Sequence, residues 1–414
     1  MDNLHNQNNT LFIESLSIKE IGKAYGTPVY IYSQKEITDN FLRFQNAFSE
    51  YPNLICYSVK ANSNLAIINL LSKLGSGFDI VSIGELERVI AAGGDPKLCV
   101  FSGVAKTHFE IEKSLEHEIL CFNVESKSEL ERIEFVAKQK GVKAPISIRV
   151  NPDVDAKTHP YISTGMKKNK FGVDADEAIG LYRYAKNSSS LNIVGIDCHI
   201  GSQITDDNPF VDALDKVLEL VEELTQIGIN LKHIDLGGGI GIQYDNETTI
   251  DIETYINKIK EKVGNIEVIL EPGRSIVGNA GVLLTKVEYI KSNPEKSFAI
   301  VDAAMNDLLR PALYDAYHEI LNVDTSKKES GDRYDIVGPV CETGDFIARD
   351  REISLEEDDL LAIMSVGAYG YSMTSNYNSR PRPPEVMVSE NKHYLVRERE
   401  TLDDLFNKEH IINE

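Results

Sequence analysis

Between residues 54 and 275 the chain alternates short apolar runs with amphipathic, helix-length segments. The runs are 54–60 (LICYSVK), 77–82 (GFDIVS), 98–102 (LCVFS), 119–124 (ILCFNV), 145–150 (PISIRV), 193–199 (IVGIDCH), 233–237 (HIDLG) and 267–271 (EVILE). Strands that stay apolar along their whole length are buried on both faces, and strands separated by helices run parallel. Eight such repeats in about 220 residues fit a (β/α)8 barrel. An open, doubly wound sheet has the same rhythm, because a strand count does not establish closure.

The intervening segments carry helix signals. Segment 208–228 begins with Asn208–Pro209 and ends at Gly228, and it lines up Phe210, Leu214, Val217, Leu218, Val221 and Leu224 on one face. Segment 128–140 is predicted to start at Ser128, with Glu131 three residues on completing a capping box. The loop 153–172 is long for a βα connection, and its lysines and Gly165 suit a flap over a site.

After Ile276 the helices disappear. Runs 282–290, 297–304, 334–340, 360–367 and 385–390 follow one another closely, which predicts an antiparallel sheet. One helix is predicted over 305–320 (MNDLLRPALYDAYHEI), and VYIYS (29–33) predicts a strand ahead of the barrel. The predicted fold class is therefore α/β: a (β/α)8 TIM-type barrel plus a C-terminal antiparallel β-domain.

Composition narrows the function. A chain of 414 residues with 42% hydrophobic residues supports a large core. A formal charge of −22 offers no global field for nucleic acid or anionic lipid, so neither is an expected partner. An anionic substrate needs a local basic cluster instead. No run approaches the ~18 apolar residues of a membrane span. The polar start MDNLHNQNNT lacks a signal-peptide core. Cys56, Cys99, Cys121, Cys198 and Cys341 are odd in number and show no CxxC spacing, so neither a disulfide framework nor a metal centre is expected. The first four lie in apolar runs; Cys341 lies in the polar run CETGD. These features together predict a cytoplasmic protein.

Barrel chemistry sits at the C-terminal ends of the strands. Those ends carry Lys60, Asp79–Ser82, Ser102, Asn123, Arg149, His199 with Ser202, Gly237–Gly239, and Glu271–Arg274. Lys60 in YSVKAN is either a lysine where a strand meets water or a desolvated amine able to condense with a carbonyl. The glycines of DLGGGIG (235–241) read better as a phosphate cup than as a dinucleotide fingerprint, because they follow the seventh strand rather than an early βαβ unit. Glu271 in EPGRS could hold a ring nitrogen protonated, so that the ring accepts electrons. Gly273 and Arg274 could complete phosphate or carboxylate binding. His199 could stack on a flat cofactor, and Ser202 could donate to a phosphate.

YSVKAN, HIGSQ, DLGGG, EPGRS, RPALYDAYH, GPVCETGD and GAYG occur in this order, and the chain resembles the barrel-fold pyridoxal-phosphate decarboxylases from about residue 20 to 400. The resemblance implies a pyridoxal-phosphate-binding barrel over 34–280 and a β-domain made from 1–33 plus 281–414, which supplies substrate and dimer contacts. Lys60 would hold pyridoxal 5'-phosphate covalently, His199 would stack on its ring and Glu271 would pair with the ring nitrogen. Ser202, Gly238, Gly239, Gly273 and Arg274 would surround the phosphate and its approaches, and Asp79 and Arg149 would support the ring region. The active unit would be a homodimer with shared sites. Cys341 would protonate the reacting carbon, across the dimer interface.

The expected substrate is meso-diaminopimelate. Arg310 and Tyr314 are spaced to share a helix face, where the arginine could pair with a distal carboxylate. Glu342 would take the distal ammonium, and Tyr369 substrate or cofactor phosphate. An ornithine- or arginine-type decarboxylase is the nearest alternative. A non-catalytic cofactor-binding barrel would have no use for Lys60, Cys341 and Arg310 together.

Overall fold

The computed structural model describes residues 4–154, 170–327 and 331–412. The chain divides into two compact units. One comprises Asn40–Ile242 and Glu247–Ile276; the other comprises Met1–Asp39, Gln243–Asn246 and Val277–Glu414.

The first unit is a closed barrel. Its strands, in chain order, are Asn53–Ser58, Gly77–Ile80, Cys99–Phe101, Cys121–Val124, Ala144–Arg149, Leu191–Asp197, His233–Asp235 and Glu267–Leu270. All neighbours are parallel, and the eighth strand closes on the first through Val268–Asn53, Ile269–Leu54 and Leu270–Ile55. Closure excludes the open-sheet alternative. Cys56, Val100, Cys121, Val194 and Ile269 pack into one cluster drawn from strands one, three, four, six and eight. Side chains from so many strands meet only inside a closed barrel. Cys56, Cys99, Cys121 and Cys198 are all buried as small apolar residues, Cys56 and Cys121 in this cluster.

Helices separate the strands. Asn208–Gln226 buries Phe210, Ala213, Leu214, Val217, Leu220, Val221 and Leu224. Its N-cap is Asp207 rather than Asn208. The helix expected from Ser128 runs over Lys127–Lys140 and is capped by Ser126, whose Oγ accepts the Glu129 N–H at 3.3 Å. The sequence ESKSELE holds two overlapping S-x-x-E frames, Ser126/Glu129 and Ser128/Glu131. The earlier frame wins, and Leu130, Ile133, Val136 and Ala137 are buried in that helix. Of the expected flap 153–172, residues 155–169 lie outside the described residues.

The second unit is organised on the long strand Gly281–Ser292, which pairs with Val29–Ser33, Leu360–Ile363 and Ser297–Val301. Strand Val29–Ser33 thus enters this sheet from the far N-terminal side of the sequence. Its core includes Val29, Ile31, Val282, Leu284, Ala362, Met364, Val386 and Val388. Most pairings are antiparallel, but Ser297–Val301 with Asp332–Val337 and Glu385–Ser389 with Val29–Ser33 are parallel. Strands Phe346–Ile353 and Lys392–Arg397 and the N-terminal strands within 4–17 were not expected.

The expected helix 305–320 shrinks to Arg310–Tyr314. Pro311 has no N–H to donate and therefore belongs in a first turn. Asp315, at φ 51°, is left-handed and ends the helix after Tyr314. No helix among the described residues is long and apolar enough to cross a membrane.

Ile269 is fully buried in the barrel cluster. Ile269→Ala is expected to destabilise the barrel by about 2–5 kcal/mol, the usual cost of such a cavity. Urea unfolding followed by circular dichroism checks this; an unchanged midpoint would show that the barrel interior does not carry the stability.

Candidate active site

The first barrel strand stops at Ser58, and Lys60 lies on the single turn Val59–Ala61 that follows. Its Nζ donates to Asp79 Oδ2 at 2.5 Å, from the end of the second strand. The lysine side chain is 34% exposed and the aspartate fully buried, so the amine stands at the edge of solvent while its partner does not. Ser58 Oγ reaches the same Asp79 oxygen (2.7 Å) and the Glu271 carbonyl (3.0 Å).

Further around the rim, Arg149 Nη1 donates to Glu125 Oε1 at 3.0 Å, and its Nε lies 3.8 Å from Asp197 Oδ2. Burial opposes the Arg149 charge, but Glu125 and then Asp197 outweigh it and raise its pKa. Glu125 also accepts the Gly103 and Gly172 N–H groups at 3.2 and 2.8 Å, which ties three loops to one carboxylate.

Asp197, Asp235 and Glu271 place carboxylate oxygens within 4.8 Å of one another, and all three are buried. Burial, with Glu125 adding to it against the pull of Arg149, pushes Asp197 up to about 7. Burial and then repulsion from Asp197 raise Asp235 well above the ordinary carboxylate range. Glu271 is raised likewise, by burial first and then by Asp235 and Asp79. Carboxylates this close and this dry do not all ionise, so the cluster holds protons at neutral pH. Ser102 Oγ lies 3.4 Å from Glu271 Oε1 and accepts from Asn123 Nδ2 at 3.1 Å.

His199 follows the sixth strand by two residues. Its Nδ1 accepts the Gly238 N–H at 3.2 Å, so in the neutral ring Nε2 carries the hydrogen. Burial, then the charges of Arg149 and Lys60, hold its pKa well below the ordinary histidine value. The ring is therefore uncharged.

The three glycines serve close approach before anything else. A Cβ on Gly238 would stand 2.0 Å from the Glu271 carbonyl, and one on Gly239 would stand 2.3 Å from the Gly201 carbonyl. Gly237 and Gly239 also have positive φ, +66° and +103°. The Gly237 N–H is committed to Asp235 Oδ1 at 2.9 Å, and that of Gly238 to His199. The expected phosphate cup thus cannot rest on all three N–H groups. Arg274 Nη2 donates to Ser202 Oγ at 3.1 Å, which sets a guanidinium beside a hydroxyl. Gly273 fits tightly as well, because its Cβ would lie 2.9 Å from Ser58 Cβ.

The second unit holds the other candidates. Arg310 opens the short helix and Tyr314 ends it. Arg310 Nη1 lies 2.8 Å from His318 Nε2, and its guanidinium carbon lies 4.5 Å from the centroid of the Tyr244 ring. Cys341 is exposed, and its N–H donates to Asn378 Oδ1 at 2.9 Å. Glu342 accepts from the Tyr377 hydroxyl at 3.0 Å. Tyr369 has φ 56°.

The barrel thus brings Lys60, Asp79, Arg149, His199, Ser202, Gly238, Gly239, Glu271, Gly273 and Arg274 to one rim. Sequence reasoning missed Ser58, Glu125, Asp197 and Asp235. A signal existed for two of them: Asp197 and Asp235 are acids inside apolar runs, and buried charge is rare without a role. A carboxyl whose folded pKa exceeds its unfolded value stabilises the fold fully below the unfolded pKa, and that contribution is lost as pH rises through the folded pKa. Asp235→Asn keeps the acceptor for Gly237 and removes the ionisation. The ligand-free variant is therefore expected to lose less melting temperature than the parent between about pH 5.5 and 8, the range above an unfolded carboxyl pKa of ~3.9. Equal losses in thermal melts would show that this carboxyl does not titrate there.

The pyridoxal binding domain of pyridoxal-dependent decarboxylases matches residues 34–278. A diaminopimelate decarboxylase from Vibrio cholerae is 52% identical over 413 residues, 99% of either chain. The crystal structure of diaminopimelate decarboxylase from M. jannaschii in complex with L-lysine superposes with a TM-score of 0.94 at 42% identity, over 99% of this chain and 98% of that one. The enzyme from Helicobacter pylori, also complexed with L-lysine, gives 0.91 at 47% identity, over 94% and 98%. A lysine/ornithine decarboxylase from Vibrio vulnificus, at 22% identity and a TM-score of 0.79, shares the fold. The chain belongs to the pyridoxal-dependent decarboxylases, in the diaminopimelate decarboxylase branch of that family.

Proposed function

We propose that the chain decarboxylates meso-2,6-diaminopimelate to L-lysine and CO2, the last step of lysine biosynthesis, acting in the cytoplasm as a homodimer with shared active sites. The observation that carries this reading is the barrel rim itself: an amine, an uncharged imidazole, a buried proton-holding carboxylate and a guanidinium–hydroxyl pair, in a chain that matches diaminopimelate decarboxylases end to end.

Pyridoxal phosphate fits what is present. Gly238 and Gly239 keep the floor of the rim free of Cβ atoms. Ser202 and Arg274 form a phosphate-type donor set. Lys60 supplies the attaching amine, with Asp79 to orient it. When bound, the cofactor accepts the electron pair released from the bond between the α-carbon and its carboxylate.

The protein's own groups do the rest. Asp79 holds the Lys60 amine in place at the rim. His199, neutral and held by Gly238, presents a flat face without adding charge to the ring. Glu271, whose burial favours its protonated form, would share that proton with the cofactor's ring nitrogen. Arg149 balances Glu125 and Asp197 so that the rim stays compact. Arg274 also contributes positive charge for a substrate carboxylate. Arg310 and Tyr314 take the distal carboxylate, Glu342 takes the distal ammonium, and Tyr369 binds substrate or cofactor phosphate. Cys341 carries the thiol that delivers a proton to the α-carbon after CO2 has left.

Release of CO2 from meso-diaminopimelate, ornithine and arginine tests the substrate. Turnover of meso-diaminopimelate alone is expected, and turnover confined to the other two overturns the reading. Cys341→Ala is expected to slow lysine formation by about 10²-fold or more, the usual worth of a positioned proton donor. The cofactor's visible absorbance should persist in that variant. Undiminished turnover would remove Cys341 from the mechanism.

A further inference from the structure

We propose that His318 is a positioning residue for substrate choice, fixing the Arg310 guanidinium in one orientation by a neutral, single-tautomer hydrogen bond. The proposal rests on the reading that Arg310 binds the distal carboxylate.

His318 is fully buried. Its Nδ1 lies 2.7 Å from the Met364 carbonyl oxygen, which only accepts, so Nδ1 carries the hydrogen. The lone pair of the neutral ring is then on Nε2. Arg310 Nη1, which only donates, lies 2.8 Å from that atom. The two contacts together define one tautomer. An imidazolium would point an N–H at the guanidinium and lose the bond.

Tyr244 completes the hold. Its ring receives the Arg310 guanidinium on its face at 4.5 Å and meets the His318 ring edge-on, with centroids 5.4 Å apart and planes at 83°. The backbone at His318 is fixed as well, because Arg351 Nη2 donates to its carbonyl at 3.1 Å and Arg351 lies over the Tyr317 ring at 3.8 Å. The guanidinium therefore loses its rotational freedom during folding rather than on binding, which is how a site becomes selective for a carboxylate at one distance.

The chemistry of the holder matters. An aspartate or glutamate in this place would also accept from Arg310, but it would cancel the charge and compete with the incoming carboxylate. A neutral imidazole orients the cation without itself cancelling the charge. Glutamine can imitate the hold, since its amide oxygen accepts and its amide nitrogen donates. Leucine can do neither.

The test is steady-state kinetics of the holoenzyme with meso-diaminopimelate for the parent, His318→Leu, His318→Gln and Arg310→Leu. His318→Leu is expected to raise KM by about 10- to 100-fold, the equivalent of one charge-assisted hydrogen bond. Its kcat should stay within about threefold, since an orienting contact made equally in ground and transition states moves KM alone. His318→Gln should return KM to within about threefold of the parent by restoring that bond. An unchanged KM in His318→Leu, or a loss that glutamine does not rescue, overturns the proposal. Arg310→Leu separates the two levels. If it leaves KM unchanged, the reading of Arg310 falls. If it raises KM while His318→Leu does not, only the role of His318 falls. Should His318→Leu not fold, His318→Met replaces it, and failure of both to fold makes the residue structural and overturns the proposal.

Discussion

Asp79, Asp197, Asp235 and Glu271 are between 0 and 4% exposed, and they crowd the same end of one barrel. Taking a carboxylate out of water costs several kcal/mol unless a cation or a proton answers it. Arg149 and Lys60 answer part of the need, through Glu125, Asp197 and Asp79. Protons answer the rest, which is why Asp197, Asp235 and Glu271 all titrate above the ordinary range. A carboxyl group that keeps its proton near neutral pH can share it with a basic ring nitrogen. The electrostatic strain of the rim is thus the source of its chemistry.

That strain is sustained because the barrel leaves these residues little freedom. Parallel strands end together on one side, and the residues that follow several of them are tightly fitted. Lys60 follows its strand by one turn. The backbone after the seventh strand runs so close to Glu271 and Gly201 that only glycine fits at 238 and 239. The Gly237 and Gly238 N–H groups fix Asp235 and His199, so the same glycines that admit the backbone also orient an acid and an imidazole. Sites built on such elements keep their geometry without help from the ligand.

The eight barrel strands were legible because a strand buried on both faces must be apolar throughout, and nothing else in a short run looks like it. The second unit was harder for the converse reason. Lys392–Arg397 is largely exposed and Phe346–Ile353 mixes charged with buried residues, so neither shows the apolar signature. The helix expected over 305–320 has the composition of a helix, yet Pro311 and the left-handed Asp315 limit it to five residues. Arg310 and Tyr314 still share a turn, so the inference from their spacing did not depend on the length. At the site, residues with a local pattern were readable: a lysine at a strand end, a glycine run, an acid after VIL. Glu125 sits in no such pattern and gains its meaning from Arg149, which lies far from it in sequence and within 4 Å in space.

Arg149 and Arg310 show two ways of holding a guanidinium. Arg149 is held by carboxylates, which cancel its charge and leave it to brace the rim. The hold on Arg310 by His318 and Tyr244 cancels nothing. A chain of net charge −22 has no long-range attraction for a carboxylate, so on the proposed reading recognition of a second carboxylate falls to individual cations. A lysine at 310 would carry the same charge, but as a flexible point rather than a planar fork, and the imidazole would have no fixed N–H to grip. If Arg310 takes the second carboxylate as proposed, selectivity for such a substrate depends on the uncharged neighbours of the arginine as much as on the arginine itself.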